Sequence, residues 1–283
     1  MASGKADDMG CDFLGVTLHT SYLICAGPRT GSNLLASTLR HAEVAGQPFE
    51  YFGRATLNGP HMLGLLNLGP VEAETMSLAD RLDRILAAGA TENGVFGATL
   101  HWGHFQPMVD AVREKLGDNV PAAADVAAVL RGYFPGIRYV WLRRENHVAQ
   151  AISHYLARQT GLWQTQAKAE RPSADSAEEP AYDFSAIKRL VGFAEREEQG
   201  WRRTFSEISD PVFAVTYEEL AVAREAVVAR VLEFLGVPKA IQEIPEAPLR
   251  RLADARSVAW EERFRAEDVD TVTPEREGRA ARG

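Results

Sequence analysis

Residues 27–33, Gly-Pro-Arg-Thr-Gly-Ser-Asn, form a loop suited to a small, highly charged anion. They follow the apolar run 22–26 and precede a segment of helical character, so the order is strand, loop, helix. Gly27 and Gly31 permit a tight turn in which successive N–H groups converge on one point. Arg29 adds a positive charge and a planar fork of donors that fits phosphate or sulfate oxygens. The alternative is a tight turn with a solvent-facing arginine, so a second site is needed to decide.

The helix after this loop belongs to the same prediction. Ser32 or Asn33 is expected to cap it, and its partly positive N-terminus would face the anion. The loop is not a Walker A motif, because only three residues separate Gly27 from Gly31 and no lysine precedes Ser32. This spacing disfavours the Mg²⁺-nucleotide machinery of kinases and GTPases.

A second basic site is predicted after the apolar run 139–142, which has the character of a buried parallel strand. Two arginines, ending at Arg144, stand at its carboxyl end, where open α/β sheets bind ligands. The helical stretch 148–157 then places Ser153 off the centre of its apolar stripe. An arginine and a serine so placed can hold a second phosphate. Neither is specific alone, since such an arginine pair is commonly solvated or paired with a neighbouring acid.

Further blocks of sequence follow in a fixed order between about residues 20 and 268. On these blocks the chain resembles the PAPS-dependent sulfotransferases, and most closely the bacterial trehalose sulfotransferase family. Their shared order carries more weight than any single block. The blocks are 28–33, 44–52, 94–102, 144–163, 198–202 and 251–260.

The resemblance implies 3′-phosphoadenosine 5′-phosphosulfate (PAPS) as donor, 3′,5′-bisphosphoadenosine (PAP) as product, and no metal. Arg144 and Ser153 would hold the 3′-phosphate, and Arg256 and Ser257 would close over the nucleotide from the C-terminal side. Loop amides and Arg29 would stabilise charge on the bridging oxygen as the sulfur–oxygen bond breaks. The 5′-phosphosulfate would be held by Pro28, Arg29, Thr30, Gly31, Ser32 and Asn33.

Sulfuryl transfer also needs a base for the acceptor hydroxyl. The family's proposed base corresponds to Glu50, which Pro48 and three flanking aromatic residues would anchor. Partial desolvation near bound anions would raise the pKa of this carboxyl, which suits a base working near neutrality. His101 is the competing base, because it follows the predicted strand 95–100. It could equally be a packed, hydrogen-bonded residue beside Trp102.

The acceptor is expected to be an alcohol, a carbohydrate or glycolipid hydroxyl. Gln47 and Thr99 stand where the trehalose enzymes carry Glu and Lys, so the acceptor need not be trehalose. The exchange of one acid and one base leaves the local net charge unaltered. Trp163 would stack on a sugar ring or anchor a helix.

Composition agrees with one α/β enzyme domain, since 46% of the 283 residues are hydrophobic. The net charge of −8 argues against nucleic acid or an anionic membrane surface as a partner. Cys11 and Cys25 offer neither a disulfide framework nor a metal quartet. No apolar stretch is long enough to span a bilayer and the N-terminus has no apolar centre, so a cytoplasmic protein is expected. The resemblance implies a homodimer, but no interface stripe indicates it.

The predicted fold is α/β: a P-loop-like, three-layer fold with a central, mainly parallel sheet flanked by helices. A flexible tail at 1–20 precedes a single sulfotransferase domain at 21–270, and a second tail covers 271–283. Residues 167–181, polar and broken by prolines, are expected to be a mobile insertion. Beyond the sites above, helices are predicted within 59–92, 121–130, 187–205 and 227–235, and a strand at 211–215.

The sequence therefore predicts a PAPS-dependent sulfotransferase. A nucleotide-dependent phosphotransferase is the alternative enzyme, and Mg²⁺-dependent ATP turnover would favour it. A non-catalytic nucleotide-binding module is the alternative without chemistry; it would bind PAP and transfer nothing.

Overall fold

The chain divides into two compact units. The computed structural model describes residues 11–13, 16–53, 58–163, 179–237 and 255–280. The first unit comprises Met1–Arg143 and Glu197–Pro245, and the second comprises Arg144–Arg196 and Glu246–Gly283. The sequence predicted one domain at 21–270, and the mobile insertion predicted at 167–181 lies almost entirely outside the described residues.

A sheet of four parallel strands forms the centre of the first unit, in the order β4-β3-β5-β6. The inner strands are buried on both faces, which is why their sequences are nearly continuous apolar runs. A short antiparallel hairpin precedes the sheet within the predicted N-terminal tail. The strands are β1 (Cys11–Phe13), β2 (Val16–Leu18), β3 (Thr20–Ala26), β4 (Val95–His101), β5 (Arg138–Arg143) and β6 (Val212–Thr216).

Helices cover both faces of this sheet, which confirms the predicted fold class. The predicted helix at 121–130 begins late, at Val126, because the Asp125 carboxylate accepts a hydrogen bond from the Ala128 N–H and caps it there. The helices are α1 (Ser32–His41), α2 (Pro60–Leu65), α3 (Pro70–Thr75), α4 (Leu78–Gly89), α5 (Phe105–Leu116), α6 (Val126–Tyr133), α7 (His147–Thr160), α8 (Phe184–Glu207), α9 (Tyr217–Val222), α10 (Arg224–Leu235) and α11 (Ala255–Ala280).

Two apolar clusters lie on opposite faces of the sheet because side chains alternate along each strand. Leu23 and Cys25 of β3 face the cluster built with α4, α5, α6 and Trp201 of α8. Tyr22 and Ile24 face the cluster built with α1, α9 and α10. The first unit is therefore three layers, and the helix α1 that follows the predicted anion loop packs on the second face.

The second unit is helical. Its core joins α7, the first part of α8, and α11, and consists of Ala151, Ile152, Ile187, Leu190 and Phe264. Helix α11 continues to Ala280, beyond the point at 270 where the sequence predicted a tail. Among the residues that the structure describes, no helix has the length and apolarity that a membrane crossing requires.

Candidate active site

The predicted anion loop and the two predicted bases lie at the carboxyl edge of the parallel sheet. Ala26 ends β3 and leads directly into the loop at Gly27. His101 ends β4 and is the register partner of Ala26 on the neighbouring strand. Parallel strands all present their carboxyl ends at one edge, which is where ligands bind in open α/β sheets.

The loop has the tight backbone that its glycines predict. The Thr30 hydroxyl donates to the Gly27 carbonyl oxygen at 2.8 Å and closes the turn. Arg29 has a φ of 65° and Gly31 a φ of 88°, so two residues adopt the left-handed region. A non-glycine residue held there costs free energy, and such residues cluster at functional sites. A side chain at Gly31 would also collide with the Tyr217 ring, 2.7 Å from the position of its Cβ.

The start of α1 differs from the sequence prediction. Its N-cap is Gly31, and neither Ser32 nor Asn33 caps it, so that prediction is wrong. Gly31 supplies its carbonyl oxygen to the N–H groups of Leu34 and Leu35, at 3.0 and 3.1 Å. Among the described residues, no side chain caps this helix. The N–H groups of Ser32 and Asn33, which precede those of Leu34 and Leu35, therefore keep their capacity to donate to an anion.

Helix α8 fixes the ends of both strands that carry the site. The Trp201 indole Nε1–H donates to the Ala26 carbonyl oxygen at 3.0 Å, immediately before the loop. One turn earlier, the Glu197 carboxylate accepts hydrogen bonds from the backbone N–H groups of Trp102 and Gly103. Burial raises the pKa of Glu197, and those two bonds partly offset the rise. Glu197 was not predicted from the sequence; only its position one turn before the buried Trp201 on an amphipathic helix could have indicated it.

The segment that carries Glu50 runs beside β4 and is anchored at nearly every carbonyl group. Phe49 forms a parallel bridge with Ala98, and the isolated bridge leaves the segment outside the sheet proper. The Gln47 N–H also donates to the Gly89 carbonyl oxygen at 2.8 Å. The carbonyls of residues 45, 47, 48 and 49 accept in turn from Tyr22 (2.6 Å), Tyr51 (2.8 Å), Arg40 (2.7 Å) and the Thr99 N–H (2.8 Å).

Glu50 and His101 face each other at this edge. The Glu50 Oε1 lies 3.5 Å from the His101 Nδ1, and both side chains are partly buried. The His104 ring stacks near that of His101, with centroids 6.5 Å apart. His101 immediately precedes the short 3₁₀ turn that follows β4, and His104 is the last residue of that turn. The structure therefore brings together the two bases that the sequence left as alternatives.

Burial acts in opposite directions on the two groups. It raises the pKa of Glu50, and the charge of His104 lowers it in part. Burial, with a smaller contribution from the charge of His104, lowers the pKa of His101 to about 4. His101 is therefore neutral at pH 7 and a weak base, whereas a carboxylate of raised pKa is a stronger one. The chemistry at this position favours Glu50.

Two predicted acceptor-binding residues lie in the same neighbourhood with different exposure. Thr99 is 2% exposed, and its Oγ1 has no hydrogen-bond partner among the described residues. Gln47 is partly buried, and both its main-chain polar groups are engaged.

The remaining predicted site residues belong to the second unit. Arg144 acts electrostatically on Glu261, whose pKa is lowered by hydrogen bonds from Asn146 and Arg265 and by the Arg144 charge, against the effect of burial. Ser153 lies within α7.

The other predicted site residues of that unit are Trp163, Arg256 and Ser257. Trp163 is 48% exposed, and its ring meets that of His154 edge-on at 5.7 Å. Arg256 lies 3.6 Å from the Glu179 carboxylate, and Ser257 follows it at the start of α11. In the part of the chain that the structure describes, no cluster of histidine, cysteine and acidic residues could hold a metal ion.

The comparisons with known proteins identify the family of the chain. The family model of the Stf0 sulphotransferases matches residues 21–267. Trehalose 2-sulfotransferase of Mycobacterium tuberculosis (strain ATCC 35801 / TMC 107 / Erdman) is 30% identical over 264 residues, 87% of this chain and 94% of the relative. Trehalose 2-sulfotransferase of Mycolicibacterium smegmatis (strain ATCC 700084 / mc(2)155) is 30% identical over 263 residues, with the same coverage.

A solved structure, the sulfotransferase domain from the curacin biosynthetic pathway, is similar with a TM-score of 0.46 and 14% identity. The similarity covers 79% of this chain and 75% of the curacin-pathway domain. The family match over residues 21–267 and the two relatives define an enzyme that transfers sulfuryl groups. The chain belongs to the Stf0 sulphotransferase family.

Proposed function

We propose that this sulfotransferase moves a sulfuryl group from PAPS to a hydroxyl of a small carbohydrate, with Glu50 as the general base. The observation that carries the proposal is the Glu50–His101 pair, 3.5 Å apart, beside the strand end that opens into the anion loop. A base and an anion-binding loop at one sheet edge are the two parts that sulfuryl transfer requires.

Loop 27–33 fits the phosphosulfate of this donor. Its uncapped helix terminus and left-handed backbone present N–H donors, and Arg29 contributes the full charge. These groups would stabilise negative charge on the oxygen that leaves sulfur, so that PAP departs as an anion. Pro28, Thr30, Gly31, Ser32 and Asn33 shape or supply that cradle.

Glu50 would take the proton of the acceptor hydroxyl as its oxygen forms a bond to sulfur. The sulfur–oxygen bond to the phosphate breaks in the same displacement, and the proton stays on the Glu50 carboxyl until it passes to solvent. His101, neutral at pH 7, would hold the carboxylate oriented through Nδ1. The raised pKa of Glu50 makes this transfer more favourable than it is for an ordinary carboxylate.

The residues proposed to bind the 3′-phosphate of the donor and the acceptor are assigned from the sequence. Arg144 and Ser153 are proposed to hold the 3′-phosphate, Arg256 and Ser257 to close over the nucleotide, and Trp163 to contact the sugar. The two relatives are named for the 2-sulfation of trehalose, which makes trehalose the first acceptor to test. Gln47 and Thr99, which replace charged residues of that family, are the positions where acceptor preference would change. A homodimer, a bacterial origin and a cytoplasmic location stay predictions.

The test is incubation with ³⁵S-labelled PAPS and a panel of sugars that includes trehalose, followed by mass spectrometry of labelled products. We expect one sulfated sugar and stoichiometric PAP. Calorimetric binding of PAP without transfer to any sugar would identify a non-catalytic module instead. Equal affinity for PAP and AMP would reject PAPS as the donor.

A further inference from the structure

We propose that Arg40 is a positioning residue that fixes Glu50 in place from the helix that begins at the anion loop. The inference rests on the proposed role of Glu50. It goes beyond that role because Arg40 lies outside residues 44–52, the block of sequence that carries Glu50. Helix α1 begins directly after Gly31, and Arg40 lies in its last turn. One rigid element thus touches the loop at one end and the base segment at the other.

Two contacts join Arg40 to the residues just before Glu50. Its Nη1 donates to the Pro48 carbonyl oxygen at 2.7 Å. Its guanidinium plane lies over the Phe49 ring, 4.0 Å from the ring centroid. The flat cation therefore holds one residue by its backbone and the next by its side chain, which a lysine cannot do in one geometry.

The surroundings of Arg40 show a built contact rather than a surface arginine. Burial lowers its pKa, and the nearby phenols of Tyr51 and Tyr22 act in the opposite direction. Both tyrosines are fully buried, and their hydroxyls hold the carbonyls of Gln47 and Ala45. Arg40 thus lies within the set of donors that fixes the whole 45–49 stretch.

Loss of this arginine would act on Glu50 through the backbone. Without the bond to Pro48 and the stacking on Phe49, two constraints on the neighbouring residue disappear at once. Displacement of a catalytic group by about 1 Å can cost up to about a hundredfold in rate. The anion loop, at the other end of α1, keeps its own contacts, so donor binding should change little.

A matched control separates positioning from general stability. Arg138, at the amino end of β5, makes contacts of the same two kinds with a single residue: it donates to the Phe234 carbonyl oxygen and lies over the Phe234 ring, 5.8 Å from its centroid. It stands at the sheet edge opposite the site. Arg40→Met and Arg138→Met thus remove equivalent contacts, and only the first touches the segment of Glu50.

The experiment compares both variants with the wild type by three measurements. Turnover is measured with ³⁵S-labelled PAPS and the best acceptor of the sugar panel, and PAP affinity by calorimetry. The third measurement is the imidazole NMR signal of His101, assigned with His101→Gln, which reports the neighbouring carboxylate and needs no acceptor. We expect Arg40→Met to lower kcat about tenfold and shift the His101 signal, with PAP affinity within about twofold. Arg138→Met should change none of the three beyond twofold, and Arg40→Lys should fall between.

A double-mutant cycle tests whether Arg40 acts through Glu50. In a Glu50→Gln background, Arg40→Met should lower the residual rate less than twofold, because the group it positions is already gone. Multiplying losses, or an unmoved His101 signal in Arg40→Met, would overturn the inference while leaving Glu50 as base. Full turnover in Glu50→Gln alone would overturn the base itself, and the positioning role with it.

Discussion

At the scale of single residues, burial acts in opposite directions on the two groups that the sequence offered as alternative bases. Glu50 and His101 share one edge of the sheet, and the same burial raises the pKa of one and lowers that of the other. Burial disfavours whichever form is charged, so it strengthens a carboxylate base and weakens an imidazole base. This difference supports Glu50 as the proposed base and His101 as its neutral partner.

Glu50→Gln should lower turnover roughly a hundredfold or more, the scale for loss of a general base. Gln keeps the shape and an oxygen for His101 but cannot take the acceptor proton. PAP affinity should stay within about twofold of wild type by calorimetry, since Glu50 lies outside the anion loop. Glu74→Gln, on the exposed surface of α3, is the control and should leave turnover unchanged. Unchanged turnover in Glu50→Gln would move the base to His101.

His104→Asn should move the acid limb of the pH profile of kcat/KM to higher pH. The positive charge of His104 lowers the pKa of Glu50, so its removal lets burial raise that pKa further. The base is then protonated, and inactive, at a pH where the wild type still works. His41→Asn, at the exposed end of α1, is the matched control and should leave the limb in place. A limb unmoved by His104→Asn would show that His104 does not act on the base.

At the scale of elements, the position of the segment that carries Glu50 depends on a glycine as much as on hydrogen bonds. Gly46 has a φ of 69°, and a Cβ there would lie 2.6 Å from the Gly97 nitrogen and 2.8 Å from the Gly89 oxygen. Both atoms belong to the backbone of β4 and α4, so neither can move cheaply. Close approach of the segment to the sheet is thus possible only without a side chain.

Gly46→Ala should lower the free energy of unfolding by about 2–4 kcal/mol, the sum of left-handed strain and overpacking. Gly161 is a close control, because its φ is 70° and a Cβ there would meet nothing within 4 Å among the described residues. Gly161→Ala should therefore cost only about 1 kcal/mol, from the backbone alone. Urea denaturation of both variants measures the difference. Equal losses would mean that the segment yields to the added methyl group.

At the scale of the whole molecule, the sequence predicted the parallel sheet and its order of elements because buried parallel strands are apolar throughout. It also predicted the tight loop at 27–33 between a strand and a helix, since glycine spacing and a strand-to-helix change are local signals. It could not predict the cap at Gly31, because Ser32 is an equally good cap until the turn geometry is known. Contacts between distant residues, such as Glu197 with the turn after β4, leave almost no local pattern.

Glu197 gives the fold a pH dependence of its own. Burial raises its pKa, and its Oε2 is buried without a hydrogen-bond partner among the described residues. A carboxyl whose pKa is higher in the folded state binds its proton more tightly there than in the unfolded chain. Its stabilising contribution is complete below the unfolded pKa, near 4.5, and is lost as pH rises through the folded value.

Glu197→Gln removes this titration. The free energy of unfolding of the variant should therefore increase relative to that of the wild type as the pH rises from about 5 to 8. The control Glu195→Gln changes an exposed residue two positions earlier on α8. It should show no such gain, because a carboxylate at the surface contributes little to the free energy of unfolding. Urea denaturation at each pH measures both. A constant difference between Glu197→Gln and the wild type would show that Glu197 has the same proton affinity in the folded and unfolded states. The contacts of Glu197 with the turn after β4 would then carry no free-energy penalty from burying its charge.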